Sequence, residues 1–366
     1  MKKKVLFVAT ITAHIISFHV PYLKWFKEQG WEVHVASNGD LEVPFCDIKH
    51  SIPVQRSPFK LENIKAYRQL KKIAKEERFD IVHCHTPMGG VLGRLCGKPM
   101  RKTGTKVIYT AHGFHFFKGA PKLNWMLYYP IEKVLARYTD ALITINQEDY
   151  QRAKQKIKAK SVYYIHGIGV DTNKFADSNI DREAKRSQLD IPVDATVIMS
   201  IGELNTNKNH QIVIKALGEI KNDCLHYIIC GKGDQLENLR ELCSSMNLSE
   251  RVHFLGYRTD IAELLKASDV FVFPSFREGL PVSLMEAMSA GLPCVVSNIR
   301  GNTDLIEHEK GGFTCKPDSV DEFKNGILRA ISVPELGDYN KTAVEKFDIS
   351  NVMAEMTGIY ESMADG

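Results

Sequence analysis

The chain has 366 residues, 44% of them apolar and 25% charged, so it is longer than one ordinary folding core and has a globular composition. Its apolar runs have the length of strands, which argues against a membrane-spanning helix. Eight cysteines are scattered without a Cys-x-x-Cys pair, and this predicts reduced, buried thiols in a cytoplasmic protein rather than a disulfide framework or a zinc site.

The formal net charge of +4 is unevenly distributed along the chain. Residues 1–170 contain 28 Lys and Arg against 13 Asp and Glu, whereas residues 171–366 contain 20 against 31. Solvated helix faces are the ordinary explanation. A basic half beside an acidic half also predicts an anionic partner for the first half, and nucleic acid, a membrane surface and a phosphorylated acceptor are the candidates.

Strand-like apolar runs alternate with helix-period segments along the first half. The predicted strands are 4–9, 32–36, 80–85, 106–110, 141–145 and 161–165. The predicted helices are 18–29, 62–77, 121–138 and 147–158. Gly89, Gly90 and Gly93 do not form a dinucleotide-binding fingerprint, and we expect them to begin a further helix and to let it pack closely. Strands that are apolar on both faces predict a parallel sheet covered by helices.

The second half repeats this alternation. The predicted strands are 195–201, 225–230, 252–255, 269–273 and 294–297, and the predicted helices are 208–220, 235–246, 259–267, 282–290 and 319–331. The polar segment 171–192 has little periodicity and is the expected linker. The chain is therefore predicted to form two doubly wound α/β domains, 1–170 and 193–348, followed by a C-terminal helix in 349–366.

Two glutamates flank the predicted turn from strand 269–273 into the next helix. Glu278 precedes Pro281, the expected first helical residue, and Glu286 follows within the helix. A helix start offers unpaired N–H groups to a phosphate. The carboxylates on either side can accept hydrogen bonds from hydroxyl groups, and a nucleoside-diphosphate sugar carries hydroxyls on both sides of its phosphates. The alternative is a loop residue and a surface residue with no shared role.

In this context the chain resembles the retaining family 4 glycosyltransferases of the GT-B fold. Glu278 and Glu286 match their E-x7-E motif, and the resemblance covers essentially the whole chain. It is closest to the subgroup that builds capsular, exopolysaccharide or O-antigen repeat units, and the similar segments are 9–23, 110–117, 167–175 and 201–210. The resemblance implies two Rossmann-like domains facing a central cleft, with the C-terminal helix packing back on the first domain.

The resemblance also implies roles in binding the sugar donor, expected to be a UDP-sugar. Glu278 would hold hydroxyls of the transferred sugar, Glu286 would hold the ribose, and Lys208 would neutralise the leaving diphosphate. The other implied donor contacts are Gly202, Gly231, Gly233, Tyr257, Gly279, Leu280 and Val282. This chain has Glu203 where many relatives have Arg, so Lys208 would act alone or with Arg277. Without an anion, Lys208 is an ordinary surface lysine.

On the acceptor side, the resemblance places His112 where donor sugar and acceptor meet, with a positioning role. The other implied acceptor-side residues are Thr12, His14, His85 and His115. The segments 94–106 and 118–130 combine basic residues with Trp125, Tyr128 and Tyr129. They predict either a surface that binds the inner face of the cell membrane or helices whose aromatic residues lie in the core.

The expected activity is hexosyl transfer from a nucleotide sugar to a saccharide or a polyprenyl-diphosphate-linked acceptor, with retention. No cofactor, metal or nucleic acid is expected to take part. A metal site at His83, His85, His112 and His115 is an alternative, although their spacing completes no recognisable ligand set. The rival functions are a GT-B sugar-nucleotide epimerase, a nicotinamide-dependent oxidoreductase, whose glycine fingerprint is missing, and a non-catalytic sugar-nucleotide-binding protein.

Overall fold

The computed structural model describes residues 2–176 and 180–365. The chain forms two compact units, one of which runs to Ile168 and includes the segment from Ser350 onward, while the other is Gly169–Ile349. The predicted linker 171–192 contains two helices, Thr172–Ala176 (α7) and Arg182–Gln188 (α8), and lies within the second unit. Each unit is a helix-covered parallel sheet, as the apolar strands predict.

The sheet of the first unit has seven parallel strands in the order β3-β2-β1-β4-β5-β6-β7. The strands are β1 (Lys4–Ile11), β2 (Glu32–Asn38), β3 (Ile48–Ser51), β4 (Ile81–His85), β5 (Lys106–Ala111), β6 (Ala141–Thr144) and β7 (Ser161–Tyr164). Six of them were predicted. The edge strand β3 was not, because IKHS is partly exposed and has no apolar run.

Seven helices accompany this sheet. They are α1 (Thr12–Phe18), α2 (Val20–Glu28), α3 (Glu62–Glu77), α4 (Pro87–Met100), α5 (Lys122–Ala136), α6 (Gln147–Lys156) and the C-terminal α16 (Ile349–Ala364). The predicted helix 18–29 is in fact the second of two helices, because α1 begins directly after β1 at Thr12. The C-terminal helix packs on the first unit as expected: the Tyr360 hydroxyl is fully buried and lies 2.8 Å from Nδ1 of His83.

The sheet of the second unit has six parallel strands in the order β10-β9-β8-β11-β12-β13. The strands are β8 (Thr196–Ile201), β9 (Leu225–Cys230), β10 (Val252–Gly256), β11 (Val270–Phe273), β12 (Cys294–Ser297) and β13 (Gly312–Cys315). Of these six strands, β13 is the one that the sequence does not predict, because GFTC offers only two apolar side chains next to a glycine. In both units the strand order reverses once, between β1 and β4 and between β8 and β11, and ligands of doubly wound sheets bind at such points.

The remaining helices of the second unit cover its sheet. They are α9 (His210–Glu219), α10 (Leu236–Ser245), α11 (Ile261–Lys266), α12 (Val282–Ser289), α13 (Asn302–Leu305), α14 (Val320–Ser332) and α15 (Leu336–Val344). Helix α8 is held by Arg186, whose buried guanidinium donates to the Asp269 carboxylate at 2.8 Å and to the carbonyls of Val193 and Ala195 at 2.7 Å. These bonds explain why α8 forms although its sequence has no apolar periodicity.

Glycines let α4 lie directly on the first sheet, as the sequence predicts. A Cβ atom at Gly90 would come within 2.5 Å of the Tyr109 ring, and one at Gly93 within 2.4 Å of the Cys84 sulfur. The Tyr109 ring cannot move aside because the buried Arg94 guanidinium lies 3.8 Å from its centroid. The small residues therefore set the distance between the helix and the sheet.

We expect Gly90→Ala to lower the free energy of unfolding by about 1–3 kcal/mol, because the added methyl group overpacks the Tyr109 contact. Gly358→Ala on α16 is the control: nothing lies within 4 Å of its Cβ position, and alanine favours a helix by about 0.5–1 kcal/mol. Urea unfolding of both variants tests this. Equal effects of the two substitutions would contradict close packing at Gly90.

Candidate active site

Two loops meet at the point in the second unit where the strand order reverses. The loop after β11 is held to the loop after β8, because the Phe276 amide donates to the Asn207 carbonyl at 2.8 Å and the Asn207 side chain donates to the Arg277 carbonyl at 3.0 Å. Asn209 adds a bond from its side chain to the Pro274 carbonyl at 3.2 Å. The structure thereby brings the predicted residues Lys208 and Glu278 together.

Lys208 and Glu278 form a partly buried ion pair. The lysine Nζ lies 2.7 Å from Oε1 of Glu278, and the two side chains are 20% and 14% exposed. The ammonium group also lies 4.6 Å from the centroid of the Phe273 ring. Each charge therefore compensates the burial of the other at the edge of the sheet. Both side chains remain partly exposed, so a charged ligand can reach them.

Helix α12 begins at Val282, as the predicted range 282–290 has it, but Pro281 has extended backbone angles and occupies the N-cap position rather than the first helical position. Gly279 and Leu280 form the turn before it, and a Cβ atom at Gly301 would lie only 2.4 Å from the Gly279 carbonyl oxygen. Gly301 has φ +80°, a conformation that favours glycine. The N-cap of α12 makes no side-chain hydrogen bond, so no side-chain cap at this position occupies the first amide groups of the helix.

Glu286, on α12, is half-buried, and burial raises the pKa of its carboxyl group, an effect that the charge of Lys174 partly opposes. A carboxylate is costly to keep away from water unless it accepts hydrogen bonds. No hydrogen bond or salt bridge to Glu286 is found in the described part of the chain. This side chain is therefore free to accept bonds from a ligand.

The glycines after β8 and β9 pack against one another. A Cβ atom at Gly231 would lie 1.8 Å from the Gly202 carbonyl oxygen, and one at Gly233 would lie 2.2 Å from that of Leu204. The close contact between the two loops by itself requires glycine at positions 231 and 233, with or without a ligand at this place. Tyr257, beyond β10, is 74% exposed.

In the first unit, four histidines gather at the carboxyl ends of the central strands. We call His14, His19, His85 and His112 the four-histidine cluster. Nε2 of His14 lies 3.2 Å from Nε2 of His19, and Nε2 of His112 lies 3.4 Å from Nδ1 of His85. Burial lowers the pKa of His14 to about 4 and lowers the pKa of the other three well below the usual value. All four imidazoles are therefore neutral at neutral pH.

A cavity of about 520 Å³ opens beside this cluster, within the first unit. The predicted residues His14 and His115 line it, together with Arg56. Its remaining wall is mostly apolar and includes Ile11, Pro58, Pro87, Met88, Val91, Leu127 and Ile131. Thr12, also predicted on the acceptor side, is instead buried, and its hydroxyl bonds to Ser37 at 2.9 Å and to the Asn38 and Gly39 carbonyls at 3.0 Å.

Sequence reasoning missed several residues around this cavity. Thr86 combines φ +62° with an extended ψ, a rare conformation for a β-branched residue, and its hydroxyl accepts the Thr10 amide at 2.9 Å. Glu132 lines the cavity and forms a two-point ion pair with buried Arg94, at 2.7 and 3.0 Å. In the sequence, Thr86 is marked only by its position after a strand and Glu132 only by its position within a helix, and many other residues share these positions.

The predicted aromatic residues of 118–130 lie inward. Trp125, Tyr128 and Tyr129 pack against the core of the first unit, as the second reading of that segment predicts. The outer face of α5 is apolar instead, with Leu123 69%, Met126 74% and Val134 50% exposed. None of the described helices is both long enough and apolar enough to cross a membrane.

Comparison with known proteins gives consistent matches along the chain. A family model of group 1 glycosyl transferases matches residues 181–346, and a model described as glycosyl transferase 4-like matches residues 4–146. The chain is 43% identical to a Bacillus subtilis (strain 168) protein provisionally named glycosyltransferase EpsD, over 100% of this chain and 98% of that protein.

Two further matches are informative. An Escherichia coli protein named UDP-Gal:alpha-D-GlcNAc-diphosphoundecaprenol alpha-1,3-galactosyltransferase is 33% identical over 83% of this chain and 80% of its own length. The crystal structure of Anabaena Alr3699/HepE in complex with UDP-glucose superposes with a TM-score of 0.80 at 21% identity, covering 98% of this chain and 99% of that one. This likeness confirms the predicted GT-B fold.

We expect Glu286→Gln to raise the melting temperature at neutral pH. The folded carboxyl has a raised pKa, so the wild type loses stability as the pH rises from about 4.3, the pKa of unfolded glutamate, through the folded value. The gain from the substitution should vanish at a pH below this window. Glu241→Gln, at an exposed position of α10, is the control for thermal unfolding across pH. A loss of stability at pH 8 in Glu286→Gln would contradict a costly buried charge.

Proposed function

The chain belongs to the GT-B glycosyltransferases of exopolysaccharide and O-antigen synthesis, and on this premise we propose that it transfers a sugar from a UDP-sugar to a lipid-linked saccharide, with retention. The observation that carries the donor site is the Lys208–Glu278 ion pair beside the start of α12. A cation, a carboxylate and free amide groups at one strand end suit a ligand that carries both phosphate and hydroxyl groups.

In the proposed donor complex, Lys208 breaks its ion pair with Glu278 and pairs with the diphosphate instead. The freed Glu278 carboxylate accepts hydroxyl bonds from the transferred sugar, and the half-buried Glu286 accepts those of the ribose. The α12 amide groups, starting at Val282, bind the phosphates. Glu203 stands where many relatives have Arg, accepts a hydrogen bond from Asn205 at 3.0 Å and cannot bind a phosphate. Arg277, which is exposed in the same loop as Glu278, is therefore the second available cation.

In the proposed reaction, negative charge develops on the leaving diphosphate. The acceptor hydroxyl attacks the anomeric carbon from the face that the diphosphate leaves, the bond from that carbon to the phosphate oxygen breaks, and the acceptor proton passes to the departing phosphate. Lys208 stabilises the negative charge that grows on this leaving group, without need of a divalent metal. His112 is neutral and a weak base because of its lowered pKa, which favours positioning of a hydroxyl over proton removal.

The acceptor is proposed to bind the first unit. Its cavity of about 520 Å³ joins an apolar wall to Arg56, His14 and His115, which suits a molecule with a lipid chain and a charged or hydroxyl-bearing head. The E. coli relative is named for an acceptor linked to diphosphoundecaprenol, which supports a lipid-linked acceptor here.

We further propose that the outer face of α5 rests on an anionic membrane surface from the cytoplasmic side. Exposed Leu123, Met126 and Val134 follow helical spacing, and exposed Lys122 and Lys133 flank them. Phe59 and Leu61, 79% and 76% exposed, adjoin Pro58 at the cavity wall. A helix with apolar residues outward and lysines beside them binds at the interface between lipid headgroups and acyl chains.

Thermal unfolding with UDP, GDP, ADP and NAD tests the donor site first. We expect UDP to raise the melting temperature and Glu286→Ala to abolish the shift, because a ligand bound only by the folded state stabilises it. In assays with UDP-sugars and a lipid-linked acceptor, Lys208→Ala should lower kcat by about 10²–10³. Lys215→Ala, on helix α9 that follows this loop, should leave kcat unchanged.

Several outcomes would overturn this proposal. A shift with NAD alone would favour an oxidoreductase, and conversion of the UDP-sugar without an acceptor would favour an epimerase. UDP binding without transfer to any acceptor would favour a non-catalytic binding protein. Proton NMR of the product decides the stereochemistry, because an inverted anomeric centre excludes retention.

Flotation with vesicles that contain anionic lipid tests the membrane surface. We expect the wild type to float with the vesicles, and Met126→Glu to remain in the lower fraction because a carboxylate replaces an exposed apolar group. Leu328→Glu, at an exposed leucine on α14, is the matched control and should float. Flotation of Met126→Glu as complete as that of the wild type would show that α5 is not the binding face.

A further inference from the structure

We propose that the four-histidine cluster of the first unit binds a divalent transition-metal ion, with Zn²⁺ as the expected metal. The cluster is not the set that sequence spacing suggests, since it includes His14 and His19 in place of His83 and His115. This inference rests on the geometry of the first unit and does not depend on which sugar or acceptor the protein uses.

The nitrogen positions suit a small metal site. Each of the four rings can offer one nitrogen so that all four atoms lie within 4.8 Å of one another. A tetrahedral Zn²⁺ with bonds of about 2.0–2.1 Å holds its ligand atoms about 3.3–3.4 Å apart. The His14–His19 and His85–His112 nitrogen pairs, at 3.2 and 3.4 Å, already have this separation. Within the set of nitrogens that lies inside 4.8 Å, no pair needs to close by more than about 1.5 Å to reach the tetrahedral separation.

The hydrogen bonding of the cluster is incomplete. His19 and His85 are each 1% exposed, and Nδ1 of His19 and Nε2 of His85 are buried with no hydrogen-bond partner in the described part of the chain. Their other nitrogens lie next to those of further imidazoles. Each neutral ring has one nitrogen with a lone pair, and the cluster contains no carboxylate. A cation among the four rings would take one lone pair from each, and imidazole nitrogen is a preferred ligand of Zn²⁺.

The neighbouring histidines are excluded by their own contacts. Both nitrogens of His83 are used, since they lie 2.8 Å from the Tyr360 hydroxyl and 2.8 Å from the Thr110 hydroxyl. His115 stacks on Tyr128, with ring centroids 4.6 Å apart, and is not one of the clustered nitrogens.

A second group of possible ligands, Glu32, His34 and Glu77, already has a cation. Lys4 lies 3.0 Å from Glu32 and 2.7 Å from Glu77, and it occupies the place that a metal would take. His34 is consequently a suitable internal control for metal binding elsewhere in the same unit.

A metal held here would connect separate parts of the fold. His14 lies in α1 just after β1, and His19 joins α1 to α2. His85 is the last residue of β4, and His112 directly follows β5. Four protein ligands leave no open position for a substrate, so the site is of the closed, structural type. Coordination also leaves one nitrogen of His112 available for the positioning role proposed above.

Cobalt spectroscopy of the full chain is the direct test. After removal of metals with a chelator, the protein is titrated with Co²⁺, and we expect the intense visible absorption of a tetrahedral site to saturate near one ion per chain. Zn²⁺ should displace it and raise the melting temperature. His14→Ala, at a half-buried position, and His112→Ala should each weaken binding at least tenfold, whereas His115→Ala and His34→Ala should bind as the wild type does.

The proposal fails if the wild type gives no tetrahedral signal or if the signal persists in both His14→Ala and His112→Ala. It also fails if His115→Ala or His34→Ala removes the signal. Circular dichroism and metal-free melting temperatures show whether each variant is folded. His14→Gln, which keeps a polar side chain of similar reach, replaces His14→Ala if the latter unfolds, and it should also lose the signal.

Discussion

Both sheets are covered by helices on both faces, and this burial decides where chemistry can occur. A strand in such a sheet has no room for unpaired charge along its length, so polar groups collect in the loops at the strand ends. The strand order of each sheet reverses once, and the loops on either side of that point diverge. Lys208 and Glu278 follow the two strands at that point in the second unit. In the first unit, His14 follows β1 and His85 is the last residue of β4.

In the proposed donor site, the two charged side chains are paired with each other. Lys208 and Glu278 neutralise each other at the sheet edge, so neither is stranded before a ligand arrives. Glu286 has no such partner and bears a raised pKa, which places a cost on the folded protein that a bound hydroxyl can relieve. The unliganded protein is thus less stable than it would be with ribose hydroxyls bound to Glu286, as we propose.

The basic character of the first unit has two physical origins. Some of its cations are structural: Arg94 pairs with Glu132, and Arg101 pairs with Asp140 at 2.7 Å. Others, such as Lys122 and Lys133, are exposed beside the apolar outer face of α5 and are free to meet an anionic surface. The four-histidine cluster adds no charge at neutral pH, because burial keeps its rings uncharged, so what it can offer is lone pairs rather than positive charge.

The amino-acid sequence by itself determined the two-sheet architecture, eleven of the thirteen strands, the close packing of α4 and the pair of glutamates around the start of α12. These follow from periodicity and from glycine, which act over a few neighbouring residues. It could not fix β3 or β13, which lack apolar runs, nor helix α8, which depends on Arg186 bonding to the distant Asp269 carboxylate.

Only the tertiary structure decided which side chains meet. Lys208 and Glu278 are 70 residues apart, and His14 and His112 are still farther apart in the chain. Tertiary structure also turned Trp125 inward and Met126 outward, a choice between core and surface that the sequence of 118–130 left open. Contacts between distant segments depend on how helices and sheets pack, and no short stretch of sequence contains that information.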